Sequence, residues 1–241
     1  MDNSNNFNYT QTQQAPEGTM AKAFMANVFS WMFLALTVSS VMAYLFSHSS
    51  LINQLFDFEA HRMKPLAYIA IFSPFAFILI MSLGFNKLSY PVLAIIFMAY
   101  ATMIGISLST IFLRYDANVI YLTFAISAGL FGTMALLGYT TSTDLTKFGT
   151  LMMIGLFGIV IASIVNWFMQ SSGLYYLISI GGVVVFTGLT AFDVQKLKQL
   201  GSGVTYGSAT TAKLSIMGAL TLYLDFINLF IFLLRIMGSR R

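Results

Sequence analysis

Residues 213–237 read KLSIMGALTLYLDFINLFIFLLRIM, and this stretch decides the fold class. An α-helix rises about 1.5 Å per residue, so an apolar run of about 25 residues is long enough to cross the roughly 30 Å hydrocarbon core of a bilayer. Asp225 is the only acidic residue in the run. The stretch therefore predicts a transmembrane helix with one acidic residue near its middle.

The composition of the whole chain agrees with a membrane protein. Hydrophobic residues make up 58% of the 241 residues and charged residues only 8%, whereas soluble domains carry about 25% charged residues. A soluble enzyme needs more polar surface than this composition can supply. The composition is also too apolar for a disordered protein or a nucleic-acid binder. The net charge of +4 is small, and without Cys there is no disulfide framework or thiolate site. The chain is predicted to be a polytopic membrane protein whose partner is the lipid bilayer, with no affinity for nucleic acid.

Six more apolar blocks of similar length precede the quoted run. The predicted spans are 26–47, 65–86, 90–112, 117–139, 148–169, 173–193 and 213–237. In lipid the backbone must satisfy its own hydrogen bonds, so uninterrupted apolar runs of this length form helices. The predicted fold is all-α, with seven transmembrane helices in one domain over residues 21–241. Residues 1–20 are polar with almost nothing to bury, which predicts a disordered tail that could serve as a handle for a partner.

Proline and small residues suggest details of helix shape and packing. Pro74 lies inside the second span, where it is predicted to kink the helix and could act as a hinge; prolines without a moving role are also common in membrane helices. Two series of small residues are predicted to let helices pack closely. They are Ala125, Gly129 and Gly132 in the fourth span and Gly155, Gly158 and Ala162 in the fifth.

Asp225 is the strongest candidate functional residue. A charge at the centre of a bilayer costs at least about 2.5–3.5 kcal/mol, so such residues are usually functional. Helical spacing adds a polar face to the same helix. Its members are Gly218, Thr221, Asp225, Asn228 and Arg235. Because a polar face must meet protein or water, the seventh helix is predicted at the centre of the bundle, with Thr221 and Asn228 supporting Asp225.

Asp193, at the end of the sixth predicted span, is the second candidate, and two interpretations remain open. If the helix stops near Phe192, Asp193 forms a surface ion pair with Lys196. If the helix continues through Leu200, Asp193 lies about 10 Å below its end and can approach Asp225. Two carboxyl groups meeting in a low-dielectric site would share one proton. Fully ionised, the same oxygens would suit Ca²⁺ as a permeant ion, so the pair predicts a proton-gated cation path without any other cofactor.

An intramembrane aspartyl protease also needs two aspartates on adjacent helices. One of them activates water as a general base. That class resembles this chain in its paired aspartates, but it carries Gly-x-Gly before one of them. Here Phe192 precedes Asp193, and Leu222, Tyr223 and Leu224 precede Asp225. Because the glycine-bearing half is missing and no Gly-rich phosphate loop occurs, the chain is predicted to be neither an enzyme nor an energy-driven pump, and conduction is predicted to be passive.

Three segments resemble the signature of the Bax inhibitor-1 family, bacterial branch: FGTMALLGYTTSTDLTKFG (131–149), GLTAFDVQKLK (188–198) and LYLDFINLFIFLLRIMG (222–238). The resemblance covers residues 21–241. It implies a bundle whose last helix is wrapped by the other six, a paired-aspartate pH sensor at Asp193 and Asp225, and a pH-sensitive Ca²⁺ leak. It also implies a multi-pass protein of the bacterial inner membrane with a cytoplasmic amino terminus.

The second span departs from that family pattern. In the best-studied bacterial type, charged residues of the second helix interact with the sensor, whereas residues 65–86 carry no charge here. Lys87 is the nearest cation and a candidate for the latch role, although a lysine at this position also fits a snorkelling side chain. The alternative function is a regulator that binds a membrane protease or a death-pathway partner without conducting; the resemblance points the same way, because some bacterial relatives are linked to regulating a membrane-bound protease.

Overall fold

The computed structural model describes residues 17–57, 60, 62–204 and 207–238 of the chain. Its helices, in order, are α1 (Glu17–Ser47), α2 (Ile52–Leu55), α3 (Pro65–Gly84), α4 (Tyr90–Leu108), α5 (Ala117–Thr140), α6 (Thr146–Met169), α7 (Ser172–Ser202) and α8 (Ala209–Met237). A 3₁₀ turn, Ser109–Leu113, follows α4. The connection after α2 contains two short antiparallel strands, β1 (Phe56–Asp57) and β2 (Arg62–Met63).

Seven of these helices are long and apolar enough to cross a membrane, which confirms the predicted number of spans. Residues at the ends explain where several of them begin. Pro65 and Pro91 lie in the first turns of α3 and α4, where a missing N–H is tolerated. The hydroxyl oxygens of Ser171 and Ser208 accept hydrogen bonds from backbone N–H groups in the first turns of α7 and α8.

The first helix begins earlier than predicted. Residues 1–16 of the predicted disordered tail lie outside the described part of the chain, but residues 17–20 are helical, so the tail prediction was wrong there. The reason is tertiary packing. Ala21, Phe24 and Met25 are buried, and the Phe24 ring lies against Gly201 of α7, so this segment has a core to pack on.

The sixth span is longer than predicted. Helix α7 continues past Asp193 to Ser202 because Val194 and Leu197, which follow the aspartate, are buried apolar residues. The prediction that ended this span at residue 193 was wrong. Of the two interpretations of Asp193, the structure shows the one in which the residue lies well inside a helix.

Helix α8 lies at the centre of the bundle. In the most apolar part of α8, 67% of the residues are buried, and in α7 61%, against only 6% in α6. Helix α8 packs mainly against α1, α4, α5 and α7, while α3 packs mainly on α4 and α6 on α7. The central last helix is therefore confirmed, but four helices rather than six form its main surroundings.

An aromatic cluster with one hydroxyl pair holds α8 against α1 and α4. The hydroxyl groups of Tyr223 and Ser39 lie 2.6 Å apart in a hydrogen bond, and Ser39 also donates to the Ala101 carbonyl oxygen. The rings of Phe97 and Tyr100 meet the Tyr223 ring edge to face. These contacts place the helix that carries Asp225 firmly in the core.

The predicted small-residue packing is right at Gly155, where an added Cβ atom would lie 3.0 Å from Val185 of α7, and wrong at three other glycines. A Cβ atom added at Gly129, Gly132 or Gly158 would meet nothing within 4 Å, so within this chain these glycines do not bring helices together. The close approach occurs at Gly138 instead, where an added Cβ would meet the backbone of Ala191 in α7. Spacing along one helix identifies a small-residue stripe, but it does not say which face meets another helix.

Candidate functional site: a buried aspartate pair between the two most buried helices

The structure brings the two candidate aspartates together. Asp193 comes from α7 and Asp225 from α8, and both are buried, with 8% and 5% of their surfaces exposed. Their carboxyl groups lie close enough to interact with each other. Because an ionised carboxylate has only acceptor oxygens, a hydrogen bond between the two groups requires a proton on one of them.

The surroundings of the pair are sparse in other polar groups. One carboxyl oxygen of Asp225 is buried and, among the described residues, has no hydrogen-bond partner. Lys196, one turn after Asp193, acts on that residue electrostatically. A buried oxygen without a partner is energetically unfavourable, so the site can gain stability from a proton or a cation at that oxygen.

The part of α7 that carries Asp193 is seated on α5 and α6 by two glycines. The backbone of Ala191 lies directly against Gly138 of α5, and the Phe192 ring lies against Gly149 of α6. At both points a side chain on the glycine would occupy the space of its neighbour. These contacts fix the position of Asp193 along the bundle axis relative to α5 and α6.

Two polar side chains of α7 extend this contact to the end of the bundle. Gln195 accepts a hydrogen bond from the Leu145 backbone N–H and donates one to the Thr143 carbonyl oxygen, both at 2.8 Å. The Lys198 ammonium donates to the Tyr139 carbonyl oxygen at 2.7 Å, near the end of α5, where a cation also suits the helix dipole. The connection between α5 and α6 is thus tied to the helix that carries Asp193.

A polar vestibule lies at this end of the bundle. It has a volume of about 350 Å³, and its lining includes Ser142, Asp144, Gln195 and Lys198. Hydrogen bonds from the Thr146 hydroxyl and backbone N–H hold the pKa of the exposed Asp144 carboxyl below its usual value. The Thr146 N–H is the first of α6, so the Asp144 carboxyl group satisfies one of the free N–H groups at the start of that helix, while Leu145 occupies the N-cap position. Among the described residues that line the vestibule, neither member of the aspartate pair is present.

We expect Gln195→Leu to release the α5–α6 connection. The substitution removes both hydrogen bonds and leaves the Leu145 N–H without this partner, at an expected cost of about 2 kcal/mol. Hydrogen exchange should show faster exchange at the Leu145 amide, and thermal unfolding in detergent should show a lower Tm. Gln199→Leu is the matched control, because Gln199 is an exposed residue of the same vestibule. Equal exchange in both variants would contradict the structural role of Gln195.

Comparison with known proteins adds a family to this geometry. Residues 21–241 match the sequence model of a family described as "Inhibitor of apoptosis-promoting Bax1". The chain belongs to the Bax inhibitor-1 family. It is 42% identical to the Escherichia coli inner membrane protein YbhL over 221 residues, which cover 91% of this chain and 93% of YbhL. It is also 42% identical to an uncharacterized protein of Borreliella burgdorferi, over 95% of this chain and 97% of that one.

The family and the seven apolar helices together make this Bax inhibitor-1 family member a multi-pass protein of the bacterial inner membrane, in contact with the lipid bilayer. The matched family is one of membrane proteins rather than enzymes. Within the described residues, no group of three or more His, Asp or Glu side chains is placed to hold a metal ion. The aspartate pair offers two carboxyl groups.

None of the described hydrogen bonds joins the remaining predicted site residues of this Bax inhibitor-1 family member to the aspartate pair. Thr221 and Asn228 are half-buried and donate to carbonyl oxygens of their own helix, those of Met217 and Leu224. Pro74 is buried inside α3, which packs mainly on α4. Its role as a hinge stays a prediction, as does the supporting role of Thr221 and Asn228.

The turn between α3 and α4 of this Bax inhibitor-1 family member, which contains Lys87, contacts a lysine of α8 that the sequence pattern does not single out, and the latch role of Lys87 stays a prediction. The Lys87 side chain is exposed. Lys213, near the start of α8, donates instead to the carbonyl oxygens of Phe85 (2.8 Å) and Leu88 (3.2 Å), and its ammonium lies 4.8 Å from the centre of the Phe85 ring. In the sequence Lys213 marks only a helix end, and nothing in its spacing points to a turn more than a hundred residues earlier in the chain.

Proposed function

We propose that this protein is a passive, pH-gated cation leak, with Ca²⁺ as the permeant ion and the Asp193–Asp225 pair as its gate. The observation that carries the proposal is the burial of two neighbouring carboxyl groups on the two most buried helices. A purely structural contact could be made by neutral side chains, which would not have to hold a proton in a low-dielectric site. The resemblance to the family's paired-aspartate sensor supports the same role.

In the protonated state the pair acts as a latch. One carboxyl group donates its proton to the other, and this bond joins α7 to α8. The contacts of Ala191 and Gln195 on either side of Asp193 join α7 to α5 and to the connection before α6. The protonated pair therefore holds α7 and α8 together at a point where several helices meet.

Loss of the shared proton turns the attraction between the two carboxyl groups into repulsion. Two ionised carboxylates in contact repel each other, and the repulsion is strong where the dielectric constant is low. Separated carboxylates are hard oxygen ligands of the kind that Ca²⁺ prefers. Deprotonation would thus open the contact between the helices and create a transient cation site on the path, next to the polar vestibule that contains Asp144.

The sign of the pH dependence follows from this scheme. The latch holds the closed state below the pH at which the pair loses its proton, and conduction rises above that pH. We therefore expect Ca²⁺ flux to increase as the pH is raised from 5 to 8.

The test is Ca²⁺ flux into proteoliposomes across pH 5–8 for the parent protein, Asp193→Asn and Asp225→Asn. We expect flux to change about tenfold over this range in the parent, as a one-proton equilibrium allows, and less than about twofold in either variant. An asparagine amide donates to the remaining carboxylate without a titrating proton, so the latch stays closed at every pH. Asp144→Asn is the control, because its carboxyl group lies outside the pair.

Two outcomes would contradict the proposal. An equal pH response of the Ca²⁺ flux in all four proteins would show that the aspartate pair does not gate conduction. Leakage no greater than in empty liposomes would show that the protein does not conduct Ca²⁺. That result would favour the alternative, a regulator that acts by binding a membrane protease or another membrane protein.

A further inference from the structure

Helix α6 is the least buried of the described membrane-spanning helices. Only 6% of its most apolar part is buried, and α7 is its one main neighbour among the described helices. By helical spacing, the face turned away from α7 carries bulky and exposed apolar side chains. They are Leu151, Ile154, Phe157, Ile161 and Phe168. Because helices that pack on each other in a membrane do so through small residues, this face fits the acyl chains of lipids.

Glycines seat the first half of α6 closely on α7, beside the aspartate pair. Near the start of α6, Gly149 lies against the Phe192 ring, and an added Cβ atom at Gly155 would lie 3.0 Å from Val185. Between these two points, the place of a side chain on Gly188 of α7 is filled by side chains of α6. Since the two helices leave each other so little room, α6 cannot change its angle without moving this part of α7.

Both ends of α6 are tied to α7 as well. At the start, the Gln195 side chain accepts a hydrogen bond of 2.8 Å from the Leu145 N–H. At the other end the connection between the two helices has only two residues. There the Ser171 N–H donates to the Asn166 side-chain oxygen at 3.1 Å. Helices α6 and α7 therefore form one unit, and the second of them carries Asp193.

We propose that α6 makes the leak sensitive to the thickness of the lipid bilayer. A bilayer thinner than the apolar length of α6 tilts this helix, and α7 tilts with it, which draws Asp193 away from Asp225. The inference rests on the proposed function, because it names what regulates the aspartate pair besides pH.

The length of α6 gives the direction of the effect. Its predominantly apolar run, residues 148–169, contains 22 residues, which span about 33 Å at about 1.5 Å per residue. The hydrocarbon core of a typical bilayer is roughly 30 Å thick, and a helix longer than the core tilts. A thinner bilayer increases this mismatch and favours the open state. A thicker bilayer removes the mismatch and favours the closed state.

Helix α3 is the natural comparison for α6. It also lies at the periphery, since it packs mainly on α4 and only 22% of its most apolar part is buried. Neither α3 nor α4 carries a member of the aspartate pair. A tilt of α3 therefore does not act directly on α7, and α3 can supply a control variant.

The test is Ca²⁺ flux at pH 7 into proteoliposomes of phosphatidylcholines with monounsaturated chains of about 14, 18 and 22 carbons, corrected for empty liposomes of each lipid. We expect the flux of the parent to be about fivefold higher in the thinnest bilayer than in the thickest, because mismatch costs a fraction of a kcal/mol per ångström. Phe168→Gln shortens the apolar run of α6 and should reduce this ratio to about twofold.

Leu83→Gln is the matched control, because it places the same amide in the last turn of α3. The two replaced side chains are equally exposed, Phe168 at 83% and Leu83 at 80%, so neither variant disturbs the core. We expect Leu83→Gln to keep the fivefold ratio of the parent. The same ratio in Phe168→Gln and Leu83→Gln would overturn the role of α6.

A second measurement reports on the helix without requiring conduction. The chain has no Cys, so spin labels can be placed on α5 and α6 alone in the double variant Thr133→Cys and Ser163→Cys, both at exposed positions. We expect the distance between the labels to differ between the thinnest and the thickest bilayer. An unchanged distance would overturn the proposed tilt of α6.

The two measurements separate this inference from the proposed function. Equal flux in all three bilayers, with the pH response of the parent intact, would overturn the inference and leave the gating function in place. Flux in none of the bilayers would overturn the proposed function, and the label distance would then decide whether α6 responds to thickness.

Discussion

Gly138→Ala should destabilise the protein by about 3 kcal/mol, the upper end of the usual effect of overpacking a core. The added methyl group would overlap the backbone of Ala191 in α7, and backbone atoms cannot move aside as a flexible side chain can. Helix α7 would have to shift away from α5, together with Asp193 two residues further on. Thermal unfolding in detergent should show a Tm about 6–12 °C below that of the parent.

Gly129→Ala is the matched control for this prediction. It makes the same change in the same helix, but its added methyl group would meet nothing within 4 Å. Since alanine is the better helix former by up to about 1 kcal/mol, this variant should be as stable as the parent or slightly more stable. A Tm for Gly138→Ala equal to that of Gly129→Ala would show that α5 and α7 do not approach each other as described.

Lys213→Met should also destabilise the protein by about 3 kcal/mol, because it removes two hydrogen bonds from an ammonium group to the carbonyl oxygens of Phe85 and Leu88. Methionine keeps most of the apolar stem, so the loss reports on the charged group. The cation also lies over the Phe85 ring, a contact worth about 0.5–1 kcal/mol at an exposed site. Tm in detergent and exchange at the amides of residues 85–88 are the measurements.

Lys87→Met provides the comparison within the same turn. Lys87 is exposed, and its removal should change the Tm by no more than other surface substitutions do, within about 0.5 kcal/mol. A larger loss of stability in Lys87→Met than in Lys213→Met would contradict the role of Lys213 as the contact between α8 and this turn. The opposite result would make Lys213 the residue that joins α8 to the turn between α3 and α4.

The candidate site could be predicted in part because a membrane penalises polar groups. Asp225 was identifiable since a carboxyl group in the middle of an apolar run must have a partner or water. Asp193 was a candidate, but its partner depended on where its helix ended. The structure extends that helix to Ser202, because Val194 and Leu197 are buried against other helices. Sequence spacing within α7 carries no information about that contact.

The contacts that fix the site were not predictable from local patterns. Gln195 bonds to the backbone of residues about fifty positions earlier, and Lys213 to a turn more than a hundred positions earlier. Both residues look like ordinary polar residues near helix ends. The glycine stripes led to the opposite error, a predicted contact that the structure lacks. Gly129 and Gly132 have the spacing of a packing seam, yet the face that meets α7 is that of Gly138.

By itself, the sequence determined the membrane environment, the seven spans and the central place of the last helix. These properties follow from hydrophobic length and from polar residues on one helix, which are properties of single segments. The tertiary structure alone decided that Asp193 and Asp225 lie close together, that Gly138 of α5 closely approaches the backbone of α7, and that Lys213 binds the turn between α3 and α4. Each of these joins residues on different helices, and in a membrane the pairing of helices depends on the fit of their surfaces rather than on hydrophobicity, since lipid is as apolar as the helices themselves.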